Sequence, residues 1–318
     1  MQEKYSNKPN NFNGEVDLRE LFRVLLEGKW IIVFVTAFIS ICGVIFSLHL
    51  PNVYESKTIL DPVNSSSGIA GALGSYGALA GIAGIKLSSG GEQGNSTKAI
   101  EKIRSLSFFE NNILTNIYLP DLMAVKSWDS KTNNLAYDET IYDVKSAAWV
   151  RNYSHPRQQI PSAQESFEVF RGQHFNLKED NQYGFVTLSI KHQSPFVAKQ
   201  WAELVVNEVN ALYRQKDKLE SEKAISYLNQ KMSMTNVAEI KEVLAKLVQE
   251  ETKKLTLIEA NQYYVFEYIE PPAVMEIKSE PKRALFCILS TLFGGMLSIL
   301  IVLFRYYFFK NDSISLNH

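Results

Sequence analysis

Cysteine is scarce, with only Cys42 and Cys287 in 318 residues. Both lie inside uncharged apolar runs, so no disulfide framework braces the region between them and that region has to cohere by packing. An excess of charge of one sign is also missing. The 33 Lys and Arg against 34 Asp and Glu leave a formal net charge of -1, which gives no global field for nucleic acid or strongly acidic ligands. There is no Gly-x-Ser-x-Gly elbow and no Gly-x-x-x-x-Gly-Lys phosphate loop, residues 81–86 matching only superficially. His49, His155, His174, His192 and His318 show no metal-ligand spacing. The sequence therefore predicts no catalytic residue, no cofactor and no metal, and leaves a spatially assembled carboxylate pair as the catalytic alternative.

Long uncharged runs are present twice. Residues 30–48 (WIIVFVTAFISICGVIFSL) supply 19 positions and residues 284–304 (ALFCILSTLFGGMLSILIVLF) supply 21. A helix rising about 1.5 Å per residue needs about 20 such positions to cross a bilayer core. The first run is too long for a signal peptide and lacks a cleavage pattern, so it reads as an anchor. Arg19, Arg23 and Lys29 crowd its leading end and only Lys57 follows closely, which places the N-terminus in the cytoplasm. Lys278, Lys282 and Arg283 against Arg305 and Lys310 argue the other way at the second run, but the first span usually dominates. The expected layout is a cytoplasmic segment 1–29, a transmembrane helix 30–50, an extracytoplasmic domain 51–283, a transmembrane helix 284–304 and a cytoplasmic tail 305–318. Residues 68–87 are nearly as long as a span, yet their six glycines make them a mobile loop or interfacial segment.

Between the runs, residues 54–60 predict a strand ending at Asp61-Pro62, and residues 97–106 and 108–117 predict short helices with Ile100, Ile103 and Leu106 on one face. A polar tract through Pro161 gives no clear signal. Residues 185–192 alternate as a half-buried strand with Val186, Leu188 and Ile190 on one side. Ser194-Pro195 then opens a helix whose apolar positions, from Val197 and Trp201 to Leu219, recur as far as about Met232. Asn236 with Glu239 predicts a second helix by the capping-box pattern, with a stripe of Val237, Ile240, Leu244, Leu247, Val248, Leu255 and Ile258. An antiparallel helical hairpin is expected, because residues 263–269 read as a strand that must rejoin the first sheet, although a continuous kinked helix stays open. The fold class is therefore α+β, with two transmembrane helices flanking an α/β base (51–195 plus 262–283) and a long helical arm (196–261). Ser290, Gly294 and Ser298 form a small-residue face suited to close helix approach, with Gly43 and Ser47 as candidate partners.

The two ends carry a resemblance. Glu15-Val16-Asp17-Leu18-Arg19-Glu20-Leu21 and Leu25-Leu26-Glu27-Gly28-Lys29-Trp30 precede the first run, and Tyr54-Glu55-Ser56 follows it. Pro271-Pro272 and Glu280-Pro281-Lys282-Arg283-Ala284 precede the second, which contains Gly294-Gly295-Met296. Together these resemble the Wzz-type polysaccharide co-polymerases, the O-antigen chain-length determinant family. The resemblance implies an inner-membrane protein with a periplasmic domain, a homo-oligomeric ring, and work beside a Wzy-type polymerase on a lipid-linked glycan, with membrane lipids as further partners and no nucleic acid. It implies a non-catalytic role in setting polysaccharide length, with capsule or exopolysaccharide export beside a separate tyrosine kinase, or a two-span periplasmic sensor, as alternatives. Candidate partner or membrane-interface residues are Asp17, Lys29, Trp30, Pro271, Pro272, Pro281, Lys282, Arg283, Gly294 and Gly295. Pro281 suits the first turn of a helix, and Lys282 and Arg283 can reach interfacial phosphates.

Overall fold

A computed structural model describes residues 18–63, 93–180 and 182–315. The glycine-rich residues 68–87 and Asp17 lie outside the described residues. The chain forms two compact units, one from the described parts of Met1–Leu50 and Glu280–His318, the other from those of Pro51–Ser279. The first unit opens with α1 (Leu18–Glu27) and α2 (Lys29–His49). The second holds, in order, β1 (Tyr54–Pro62), α3 (Gln93–Ile103), α4 (Leu119–Met123), β2 (Val125–Asp129), β3 (Asn134–Tyr137), β4 (Tyr142–Asp143), β5 (Ala148–Trp149), α5 (Ala163–Val169), β6 (Phe175–Glu179), β7 (Val186–His192), α6 (Pro195–Met234), α7 (Ala238–Ala260) and β8 (Phe266–Glu270). The chain returns to the first unit as α8 (Arg283–Ser315), which continues the helix beyond the predicted run and through residues 305–315.

The main sheet has the order β6-β7-β1-β8, with every neighbouring pair antiparallel. β1 runs in register from Tyr54 opposite His192 to Leu60 opposite Val186, and β8 flanks its other side. The strand ends at Asp61-Pro62 as expected, with Pro62 paired to Phe266 as the last residue, where its missing N–H matters least. Val186, Leu188 and Ile190 are buried as the alternation predicts, and α6 buries Ala198, Trp201, Ala202, Val205, Val206 and Val209 in the same core. Each large side chain so enclosed contributes roughly 1.5–3 kcal/mol of hydrophobic stabilisation. Ile100 and Ile103 of α3 join them, but Leu106 is exposed. The cause is Ser105, whose Oγ accepts from the Phe108 N–H at 3.2 Å and starts a new turn out of phase with α3. The helix predicted beyond it is a π turn over Phe109–Ile113 followed by a 3-10 turn over Leu114–Asn116.

The polar tract without a clear signal contains two small hairpins, β2–β3 and β4–β5. An aspartate organises each turn. Asp129 accepts from the Lys131 N–H (2.9 Å) and Thr132 Oγ1 (2.8 Å), and Asp143 from the Lys145 N–H (3.0 Å) and Ser146 Oγ (2.6 Å). Asn133 closes the first turn at φ 53°, a conformation asparagine tolerates.

Helix α6 has 40 residues, a length of about 60 Å. It begins at Pro195 after Ser194, as the sequence predicts, although the Ser194 side chain makes no capping bond. The chain leaves the helix at Thr235 in an extended conformation and α7 starts after Val237, whose carbonyl accepts from the Lys241 N–H at 3.1 Å. The predicted Asn236/Glu239 capping box is therefore not formed, because the helix begins one residue later and Asn236 stands outside it. α7 runs back along α6: Lys218 Nζ lies 2.7 Å from Glu259 Oε1, and Arg214 Nη2 donates to the carbonyls of Asn261 (2.8 Å) and Gln262 (2.5 Å). Leu228, Leu244 and Ile258 are buried between them, whereas Leu219, Val237 and Ile240 of the predicted stripes stand exposed.

Asn210 locks α6 to the sheet. Its Oδ1 accepts from the backbone N–H groups of Tyr264 (3.2 Å), Val265 (2.7 Å) and Phe266 (3.0 Å), and its Nδ2 donates to the Phe266 carbonyl at 3.0 Å. His192 makes a second bracket: Nδ1 accepts from the Ser194 N–H and Nε2 donates to the Asp121 carbonyl, each at 3.0 Å. Beside it His174 Nδ1 donates to the Lys191 carbonyl at 2.7 Å, and both rings pack on Trp201. Burial holds both imidazoles below the ordinary histidine pKa, His174 at about 4, with the neighbouring His192 adding to the shift.

Two outcomes are expected from full-length protein in detergent, followed by tryptophan fluorescence in denaturant. Asn210→Ala orphans the buried Val265 and Phe266 donors, each worth about 1–3 kcal/mol, together with the half-buried one of Tyr264, and should lower unfolding stability by at least about 2 kcal/mol; an unchanged midpoint would contradict the locking role. Both histidines bind protons more readily unfolded than folded. Stability is therefore full above the unfolded pKa of about 6.5 and declines as the pH falls toward about 4, with His174→Phe flattening that decline.

Candidate functional site

The predicted residues fall in both units and do not converge on one pocket. Lys29 and Trp30 open α2 and are exposed, Trp30 at 77%. Pro271 is exposed and Pro272 buried in the segment that leaves β8. That segment is tied along β1 by Thr58 Oγ1 donating to the Glu270 carbonyl (2.6 Å) and Ser56 Oγ to the Ala273 carbonyl (2.9 Å). Farther on, the Ser279 N–H donates to the Val53 carbonyl (2.9 Å) and Lys278 Nζ to Asn52 Oδ1 (3.1 Å). The entry and exit of the second unit are thereby fastened to each other.

Pro281 does not sit in the first turn of α8, as its sequence position suggested. The Lys282 carbonyl accepts the opening helical bond, from the Phe286 N–H at 3.3 Å, so Pro281 precedes the helix. Lys282 is exposed, while Pro281 and Arg283 are half-buried.

Small residues bring α2 and α8 together. A Cβ added at Gly43 would lie 2.5 Å from Ser290 Cβ, and one at Gly294 would lie 3.1 Å from Ile39 Cβ. Hydroxyls cross the same seam, Ser40 to Thr291 at 3.0 Å and Thr36 to Ser298 at 3.3 Å. Gly43 was expected opposite this face; Thr36 and Ser40 were missed, although both fall on the turns preceding Gly43 along the same helix side. Gly295 differs from Gly294, for nothing lies within 4 Å of a Cβ placed there.

Several polar clusters escaped sequence reading because their members are far apart along the chain. Asp121 accepts from Tyr137 Oη at 2.6 Å, and its carboxyl pKa is raised by burial, with the Tyr137 bond partly opposing. Arg151 forms a two-pronged ion pair with Glu165, which lowers the Glu165 pKa, and also donates to the carbonyls of Gln158 (2.6 Å) and Gln159 (2.9 Å). Each of these groups is engaged in holding a loop. Among the described residues no group of three or more His, Cys, Asp or Glu side chains could hold a metal ion. A cleft of about 400 Å³ lies between α3 and β6, where Arg104 is already committed to Glu101 (2.8 Å) and the Leu177 carbonyl (3.2 Å).

Residues 14–113 match the family described as Wzz, chain length determinant protein. This segment is of the Wzz type. The match begins before α1, takes in α2, β1 and α3 and ends at Ile113, so Asp17, Lys29 and Trp30 fall within the Wzz segment and the candidates from Pro271 onward fall outside it. Among solved structures, a full-length bacterial polysaccharide co-polymerase is 15% identical, with 92% of this chain and 99% of that one covered at a TM-score of 0.40. A fragment of the WzzB polysaccharide co-polymerase from Salmonella Typhimurium is 12% identical, with 72% and 100% covered at a TM-score of 0.32. No match was found among curated proteins. The Wzz type identifies a polysaccharide chain-length co-polymerase family, and both α2 and α8 are long and apolar enough to cross a membrane.

Gly43→Val should force the two apolar helices apart and cost about 1–3 kcal/mol, the usual penalty of overpacking, whereas Gly295→Ala should leave the melting temperature in detergent unchanged. Equal tolerance at the two glycines would refute this assignment of the seam.

Proposed function

We propose that the chain is a non-catalytic inner-membrane scaffold that sets the length of a lipid-linked surface polysaccharide, the O-antigen of lipopolysaccharide, made by a Wzy-type polymerase. The observation that carries this reading is the Wzz match over residues 14–113, which joins the first apolar helix to the central strand of the sheet. In this reading α2 and α8 cross the membrane, both termini are cytoplasmic, and residues 51–283 occupy the periplasm. Copies of the chain form a homo-oligomeric ring around the growing lipid-linked glycan. The base comprises 51–195 with 262–283, and the extended helical hairpin 196–261 is its arm. Two features support a role exerted through shape: the antiparallel run of α7 along α6, and the engagement of Asp121, Arg151 and Glu165 in structural bonds.

The candidate residues take positional roles. Asp17, Lys29 and Trp30 set the entry of the first span, while Pro271 and Pro272 stiffen the exit from the sheet. Pro281, Lys282 and Arg283 set the start of the second span, and Gly294 packs it on the first. Gly295, with open space around it, faces a neighbouring subunit or the polymerase.

Deleting the gene while retaining the polymerase should leave O-antigen present with a broadened or shifted length distribution on gels, restored by complementation. Loss of all polymer, or turnover of glycan by the purified protein alone, would overturn the scaffold reading.

A further inference from the structure

Helix α1 is covered on one side only. Val24 is buried, and a Cβ at Gly28, just after α1, would lie 2.5 Å from Val302 Cγ1 of α8. Phe22 and Leu26, each two residues from Val24 and so on the opposite face of the helix, are 66% and 55% exposed. The helical ladder carries on through the break, since the Gly28 N–H donates to the Val24 carbonyl and the Ile32 N–H to the Gly28 carbonyl, both at 3.0 Å. A spacing of four therefore continues from Phe22 and Leu26 to Trp30 and Phe34, the latter two 77% and 73% exposed.

Past Val302, α8 adds Phe304 and Phe308, stacked at 5.8 Å between ring centroids and both exposed. Arg23, Lys29 and Arg305, near the ends of these helices in sequence, are exposed. Aromatic rings with long cationic side chains at the ends of apolar helices suit the headgroup layer, where the ring lies at the acyl boundary and the charge reaches phosphate. An amphipathic helix with one bare apolar face suits the same layer.

We propose that α1 is an interfacial helix whose Phe22–Leu26 ridge, with Phe304 and Phe308 of α8, seats in the headgroup and acyl boundary of the lipid bilayer. Lipid contact thus begins before the uncharged run of α2. Lipid is the fitting occupant because the same four-residue spacing carries the ridge on into Trp30 and Phe34, exposed at the start of the span. The inference rests on the reading of α2 and α8 as membrane spans.

The test uses the full chain, with Cys42→Ser and Cys287→Ser, reconstituted into vesicles of phosphatidylethanolamine and phosphatidylglycerol. Single nitroxides are attached at Phe22→Cys, Leu26→Cys, Glu27→Cys or Phe38→Cys, and collision rates with oxygen and with a water-soluble nickel chelate are compared. The oxygen-to-nickel ratio should be several-fold higher at positions 22 and 26 than at Glu27, and higher still at Phe38 within the span. Nickel access at positions 22 and 26 would put the ridge in water, and protection from both reagents would put it under protein; either overturns the proposal while Phe38 still reports lipid. Nickel access at Phe38 would overturn the span reading, and the proposal with it.

Discussion

Strand β1 is the constraint on which the second unit depends. It enters first and pairs on one side with β7 and on the other with β8, both supplied much later in the chain. Antiparallel pairing of this kind requires long loops to close before it returns any free energy. The residues after β8 strengthen the closure. Ser56 and Thr58 are buried polar side chains on a central strand, and they are tolerated because each hydroxyl finds a carbonyl, Thr58 at the last residue of β8 and Ser56 on the outgoing segment. An apolar residue at either place would fill the space and lose the fastening between the unit's entry and exit.

The first unit solves a different problem with different chemistry. On the proposed reading of α2 and α8 as membrane spans, two apolar helices in hydrocarbon gain no hydrophobic free energy by meeting, so close approach has to come from shape and polar pairing. Gly43 and Gly294 remove the side chains that would hold the axes apart, and the Ser40–Thr291 and Thr36–Ser298 pairs add short polar contacts along the seam. Hydroxyls suit this place because they also bond within their own helix, as Thr291 and Ser298 do to the carbonyls of Cys287 and Gly295. Gly295 lends its carbonyl to Ser298, but a Cβ placed there meets nothing within 4 Å, so the close approach of the helices depends on Gly294 and not on Gly295.

Periodicity made much of this architecture legible. Alternation exposed β7, three- and four-residue spacing exposed α6, and unbroken apolar runs exposed the two long helices, because each pattern is the direct imprint of one buried face. Signals that depend on a single residue fared worse. The Asn236/Glu239 pair has the spelling of a capping box, but one residue of displacement at Val237 removes its geometry. Leu106 keeps helical spacing with Ile100 and Ile103, yet Ser105 restarts the turn before it. Asp129 and Asp143, each followed by Lys and a hydroxyl residue, could have marked the small hairpins had turn chemistry been weighed above the absence of apolar alternation. Asn210 was illegible for another reason: its partners at Tyr264–Phe266 are neighbours only in space, and nothing in an apolar helical stripe announces which polar member is indispensable. Within the candidate site the same division holds, with the small-residue seam partly readable and Thr36 and Ser40 visible only once the partner helix was in place.

Where the stability resides also bears on how freely the surface can vary. The long helices carry exposed ion pairs at Lys199–Glu203, Lys216–Glu220, Lys246–Glu242 and Lys218–Glu259. Pairs so open to water contribute about 0–1 kcal/mol each, far less than the apolar face of α6 or the four bonds of Asn210. Charge on α6 and α7 is therefore nearly decoupled from the fold. Substitutions there can change the exposed surface while β1, β7, β8 and the inner face of α6 hold their geometry.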